Sequence, residues 1–286
     1  MKPAALPRLA PGTRAALPVL LFLLAGFAAP LLAVMWFSVM PPRTFAFDAA
    51  PELTNYATVF EGTNYISFLW SLGLASLVVV LLAFICYPIA YGLVRVFGRW
   101  SMLLTLLFTI PLFVSENIRL YGWVLFFIKN GVLLGTLKSL FGLELESLLF
   151  TLPAIIFGMV YVHLPFMLFP MTLGISMVPQ DTRDAAFDLG ASRWQVFREV
   201  ELPLSMPGIV IGCLLTFVLA VGALAEAKVM GGQRVIPIAH DIEIAFTYAQ
   251  NWPLGCALAV LLMLVVGGLV IAVLRRLDLD RILGRR

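Results

Sequence analysis

Glu116 and Arg119, in the stretch Ser115-Glu116-Asn117-Ile118-Arg119, are ionisable groups set inside an otherwise apolar run. At a spacing of three they share one face of a helix, as do Asn117 and Tyr121 at four. Charges at that depth are expensive and face a partner or a water-filled path. The pair therefore either lines a route for a charged solute or neutralises itself as a structural ion pair. Glu226 and Lys228 stand near the end of a later apolar run. Two apart, they do not face each other on a regular helix, and a break near Gly231-Gly232 would turn one to the route and the other to the interface. His163, followed by Pro165 and Pro170, satisfies a carbonyl loosened by those prolines, with proton or solute handling as the second reading. Trp123, Trp252, Tyr121 and Tyr161 either line such a route or anchor the chain at a membrane surface.

Covalent chemistry has no residues to carry it. The phosphate-binding pattern Gly-x-x-x-x-Gly-Lys-Ser/Thr is absent, since Gly-Lys never occurs, and Gly-x-Ser-x-Gly, His-Glu-x-x-His and Cys-x-x-Cys are absent too. The reading is of a non-catalytic chain with no cofactor and no metal. Its three cysteines, Cys86, Cys213 and Cys256, sit in apolar runs, and their odd number argues against a disulfide framework or a metal cluster. They read as small packing residues.

Elements that could hold these groups at depth must be membrane helices. Of 286 residues, 62% are hydrophobic and 12% charged, with a mean hydropathy of +1.01, far from the balance of a soluble domain. Spans of about 20 residues fall at roughly 17–40, 68–96, 101–128, 151–177, 204–229 and 253–275. The first exceeds a secretory signal core and lacks a convincing cleavage site. A short interfacial helix is expected over Leu53 to Phe68. Six spans put both ends on one side. Thirteen lysines and arginines lie on that side and four on the other, so both termini are expected in the cytoplasm. The connecting stretches are too short to bury cores of their own, leaving one transmembrane domain over 1–286 with its core at about 68–275. Nothing in the composition points to nucleic acid.

The segment from Pro179 to Pro203 carries eight charges between two apolar spans and must lie outside hydrocarbon. It also reads as folded. Asp181 can cap a first short helix, Gly190 can end it, Ser192 to Gln195 forms a capping box for a second, and Pro203 closes that one. Phe187, Trp194 and Phe197 beside charged groups make an amphipathic knob that a partner's groove could grip.

Asp184-Ala185-Ala186, then Gly190, then Val200, Leu202 and Pro203 resemble the coupling-loop pattern of bacterial binding-protein-dependent ABC importer permeases. Asp184 stands where that family usually has Glu, and Val200 where it has Ile. Further stretches, Pro111 to Ser115, Ile118 to Trp123, Gly222-Ala223, Gly231-Gly232 and Asn251 to Gly255, are similar to its polyamine branch. The resemblance covers most of the chain from about Trp70.

What the resemblance implies is an all-α, six-helix type I importer permease in the bacterial inner membrane, multi-pass among its lipids. Residues 179–203 would be the cytoplasmic coupling loop, with Asp184, Ala185, Ala186, Gly190, Leu202 and Pro203 contacting the energy source. Its partners would be two cytoplasmic ATPase subunits, a second permease subunit, a periplasmic solute-binding protein and a small-molecule solute. The branch suggests spermidine or putrescine, with opines, phosphonates, thiamine and ferric iron as alternatives. Local reasoning adds Glu116, Arg119, Tyr121, Glu226, Lys228 and Trp252 as the solute route. A carrier driven by an ion gradient, with Glu116, Glu226 and His163 moving protons, is the competing class.

Overall fold

The computed structural model describes residues 11–46, 48–142 and 146–276, and every regular element among them is a helix. Among the described residues six helical stretches are long and apolar enough to cross a membrane. The first, α1 (Ala16–Phe37), leaves Phe22 and Phe27 exposed, as a lipid-facing helix does. Next comes α2 (Thr54–Glu61), stopped by extended backbone at Gly62. The expected interfacial helix is therefore shorter than Leu53 to Phe68, because Asn64 already opens the second span, α3 (Asn64–Val96). That span ends in a π turn, the Phe97 N–H reaching back five residues to the Gly92 carbonyl at 2.9 Å.

The expected third span, 101–128, is split, and the stretch long enough to cross a membrane lies further on, over Glu116–Phe141. Helix α4 (Ser101–Thr109) tightens into a 3₁₀ turn at Ile110–Phe113, and Val114 and Ser115 are extended. Pro111 explains the break: it lacks an N–H, and its ring crowds the carbonyl four residues back. The Ser115 carbonyl then accepts the Arg119 N–H at 3.1 Å, starting α5 (Glu116–Phe127) with a carboxylate in its first turn, where the helix dipole favours it. Helix α6 (Val132–Phe141) follows and ends at Gly142, φ +67°.

The fourth span, α7 (Leu152–Ser176), is capped by the Thr151 hydroxyl, which accepts the Ala154 N–H at 3.3 Å. Two charged helices come next, α8 (Gln180–Asp188) and the start of α9 (Arg193–Val221). Here Pro203 does not close a helix. Residues Val196–Glu201 form a π turn, with the Leu202 N–H on the Phe197 carbonyl, and a turn already bonded five residues back absorbs the donor that Pro203 lacks. The helix runs on unbroken into the fifth span. That span stops at Val221, not at 229, with Gly222 at its C-terminus and a separate helix α10 (Ala225–Val229) beyond. The break thus falls at Gly222, ahead of the expected Gly231-Gly232. Helices α11 (Ile238–Thr247) and α12 (Trp252–Arg276) complete the chain.

Among the described residues two compact units emerge, one up to residue 62 with 242–264 and one from 63 to 241 with the chain from 265. In the first, Asn55 donates to the Met40 carbonyl at 2.7 Å, Tyr56 to the Ser38 hydroxyl at 2.7 Å, and the Arg43 N–H to Asn251 at 3.0 Å. Trp252 packs edge-on against Phe45 and Phe246.

In the second unit α3, α7 and α9 pack together. Lipid offers no hydrophobic drive between apolar helices, so close backbone approach must hold them. Gly174 and Gly208 supply it: a Cβ on Gly208 would meet the Pro170 carbonyl oxygen and stand 2.5 Å from the Gly174 Cα.

Candidate functional site

The segment at 179–203 is held by local hydrogen bonds. Pro179 precedes α8 and no side chain caps it; Asp181 lies within the first turn, where its charge suits the helix N-terminus. Asp184 accepts from Gln180 Nε2 at 3.1 Å. At the far end Gly190 adopts φ +86°, its N–H donating to the Phe187 carbonyl at 2.9 Å and the Ala191 N–H to that of Ala186 at 3.1 Å. This paired arrangement satisfies two carbonyls that a helix end leaves orphaned, and it needs the left-handed residue. The capping box is complete: the Ser192 N–H donates to Gln195 Oε1 at 2.8 Å and the Gln195 N–H to Ser192 Oγ at 3.3 Å.

A side-chain chain that the sequence did not reveal ties this segment to two spans. Arg95, in the π turn of α3, donates to the Val178 and Ile175 carbonyls at 2.7 and 3.3 Å, closing the end of α7, and to Gln180 Oε1 at 3.4 Å. Gln180 Oε1 also accepts from Arg183 at 2.7 Å, and Arg183 pairs with buried Glu201 in the π turn of α9. Phe197 adds an edge-on contact with Tyr87 of α3 and stacks on Trp194. On the outside Leu189 is 90% and Trp194 66% exposed. Gly190 and Pro203 are exposed as well, Leu202 half-buried. In the sequence Arg95 is legible only as one of the thirteen basic residues on the side of the two termini.

A second constellation surrounds a cavity of about 530 Å³, whose walls include Glu116, Asn117, His163, Gly222, Glu226 and Lys228. The start of α5, the middle of α7 and the break after α9 each bring part of it. His163 Nδ1 lies 2.8 Å from the Met159 carbonyl, so that nitrogen carries the hydrogen. The carbonyl it bonds is not one freed by Pro165, whose missing N–H would have served residue 161. Glu226 is 1% exposed and 3.6 Å from His163 Nδ1.

Of the six proposed route residues, Glu116, Glu226 and Lys228 thus meet at one cavity. Arg119 instead sets its guanidinium 5.6 Å from the centre of the Tyr161 ring, at the edge of an aromatic group that joins Trp123 to Phe127, Phe157 and Tyr161. Tyr121 is 58% exposed and does not line the cavity, and Trp252 belongs to the packing of the other unit. Asn117 and His163, which complete the wall, were visible in the sequence as polar side chains inside apolar runs.

The family of binding-protein-dependent transport system inner membrane components matches residues 80–282. This chain belongs to that family. Among its relatives is the spermidine/putrescine transport system permease protein PotB of Salmonella typhimurium (strain SL1344), 34% identical over 216 residues that cover 75% of each chain. The protein of the same name from Escherichia coli (strain K12) is 33% identical, over 75% of this chain and 78% of its own. A crystal structure of a bacterial ABC transporter involved in the import of the acidic polysaccharide alginate superposes with a TM-score of 0.70, covering 93% of this chain and 95% of that one at 16% identity. At that identity the likeness speaks for the fold, which is that of an ABC importer permease. The chain is a membrane transport component, and the segment at 179–203 and the Glu226 cavity both lie within the matched residues.

Proposed function

We propose that this permease is the solute conduit and force transducer of an ATP-driven importer for small polyamines, and that residues 179–203 are its coupling loop. It works beside a second permease subunit, with two ATPase subunits on the cytoplasmic side and a solute-binding protein on the outer side. The observation that carries the reading is the build of 179–203, a rigid pair of helices with exposed Leu189 and Trp194 outside and a continuous helix leading into the fifth span. In this reading Asp184, Ala185, Ala186 and Gly190 present the gripped face, while Leu202 and Pro203 mark where the grip enters the membrane. ATP-driven closure of the ATPase pair moves α8, and Gln180, Arg183 and Glu201 pass the movement to α3 and α9. Differential nucleotide contacts thereby shift the population between outward and inward access. The amine assignment draws on the two carboxylates of the cavity and on the substrates named for the two PotB relatives.

Two experiments test this. In the native membrane, tagged wild-type chain should co-purify an ABC ATPase and a second permease, and Gly190→Trp should recover markedly less. A Cβ meets open space there, but φ +86° disfavours any L residue by about 1–2 kcal/mol, enough to deform the turn; undiminished ATPase recovery would count against the coupling role. Single cysteines at residue 188 and near either end should react with impermeant reagent only from the cytoplasmic side, and labelling from outside would overturn the orientation.

A further inference from the structure

Glu226 is buried to 1%, and neither of its carboxylate oxygens receives a hydrogen bond from another of the described residues. His163 is beside it at 3.6 Å, but the hydrogen on the near nitrogen is directed to the Met159 carbonyl at 2.8 Å. The carboxylate therefore faces the 530 Å³ cavity with its acceptor capacity unused. A buried charge in that condition is costly unless a cation or donor meets it.

The backbone is arranged to put it there. The break at Gly222 turns α10 off the axis of α9. Gly158 of α7 lets the turn approach, since a Cβ at 158 would stand 2.7 Å from Met230 Sδ and 3.7 Å from the Glu226 Cβ. The Met230 carbonyl accepts the Phe150 N–H at 2.8 Å and fixes the far end. Glu116 and the Asn117 side chain, with its carbonyl acceptor, share the wall. The charged side chains of that wall are two carboxylates and one ammonium, Lys228.

We infer that this cavity is a subsite for one primary ammonium group of the solute, with Glu226 as its counter-charge, Glu116 as a second acceptor and Asn117 and His163 setting its position. The inference rests on the amine reading above and gives it an address inside the permease. The volume lies in the range of small-molecule sites, with room for an alkyl stem behind the ammonium.

The test is direct binding to the detergent-purified native complex, without the solute-binding protein. Putrescine is compared by calorimetry with 1,4-butanediol, which has the same chain length and no charge. Wild type should bind the diamine and not the diol. Glu226→Gln should weaken putrescine by about tenfold or more, the scale of a lost charge-assisted contact, and Glu116→Gln, at a half-buried position, should weaken it less. Equal putrescine affinity in wild type and Glu226→Gln overturns the subsite, as does equal affinity for diol and diamine. If Glu226→Gln fails to assemble, unchanged affinity in Glu116→Gln together with Asn117→Leu overturns it instead. A complex that retains its ATPase yet binds no diamine removes the subsite and leaves the importer intact. A chain without an ATPase that still binds putrescine through Glu226 removes the importer reading and leaves the subsite.

Discussion

Arg183→Leu should destabilise the protein by about 3–5 kcal/mol, because it strands a buried carboxylate without its counter-charge. The pair is enclosed, 13% of the Arg183 side chain and 5% of the Glu201 side chain being accessible, so solvent cannot take over the missing role as it would at a surface. The exchange Arg183→Glu with Glu201→Arg should recover a substantial part of the loss, and Glu201→Gln should cost less than Arg183→Leu because the stranded charge is then Arg183, the more accessible partner, which keeps Gln180 Oε1 as an acceptor at 2.7 Å. Denaturant titration of the purified chain in micelles reads these differences. Similar midpoints for Arg183→Leu and wild type would mean that the pair is solvated and that Gln180 alone links α8 to its neighbours. Since Gln180 accepts from both Arg95 and Arg183, the Arg183 variant should also loosen the ends of α3 and α7, read as faster amide exchange around Val178.

Gly208→Leu should be damaging on a similar scale. The new Cβ would stand 2.5 Å from the Gly174 Cα and press on the Pro170 carbonyl. Both obstacles are backbone and cannot swing aside, so α7 and α9 must separate. Overpacking costs about 1–3 kcal/mol in adaptable cores, and this site, with no flexible side chain to yield, belongs at or above the upper end. Gly73→Ala is the control, because nothing lies within 4 Å of a Cβ there, and it should fall within about 0.5 kcal/mol of wild type. Thermal unfolding in micelles and membrane yield measure both. A Gly208→Leu protein that melts with wild type would show that these helices tolerate a wider spacing.

What could be read beforehand divides along the range of the interactions. The helix end at Gly190 and the capping box of Ser192 and Gln195 depend on residues within a few positions, and both were legible. Apolar length marked the spans for the same reason. The stop at Val221 was misplaced because Gly222 has φ −85° and ψ 2°, a conformation open to any residue, so nothing in the residue type announced it. Pro203 misled in the opposite sense: a missing donor normally ends a helix, but the π turn before it had already shifted the bonding. The split after Phe113 needed the combined effect of Pro111 and a second helix start at Ser115. Among the route residues, Glu116 and Glu226 come together only through that split and the break at Gly222. Arg119, on the same helical face as Glu116 by spacing, sets its guanidinium over the Tyr161 ring. The link from Arg95 to Glu201 spans three elements, and no periodicity encodes it.

The π turn at Val196–Glu201 also gives the residue count between Gly190 and Pro203 a meaning beyond distance. In an α-helix each residue advances the azimuth by about 100°. Relaxation of the turn to ordinary α geometry would take up most of a one-residue loss, because a turn bonded five residues back holds about one residue more than an α turn, but a loss that left the turn intact would rotate everything before it, including Trp194 and the whole of α8, around the axis of the fifth span. The exposed face would then point toward another compass bearing although the reach had scarcely changed. The interval between the glycine and the Leu-Pro pair is therefore an angular setting, and a partner gripping the loop reads its phase.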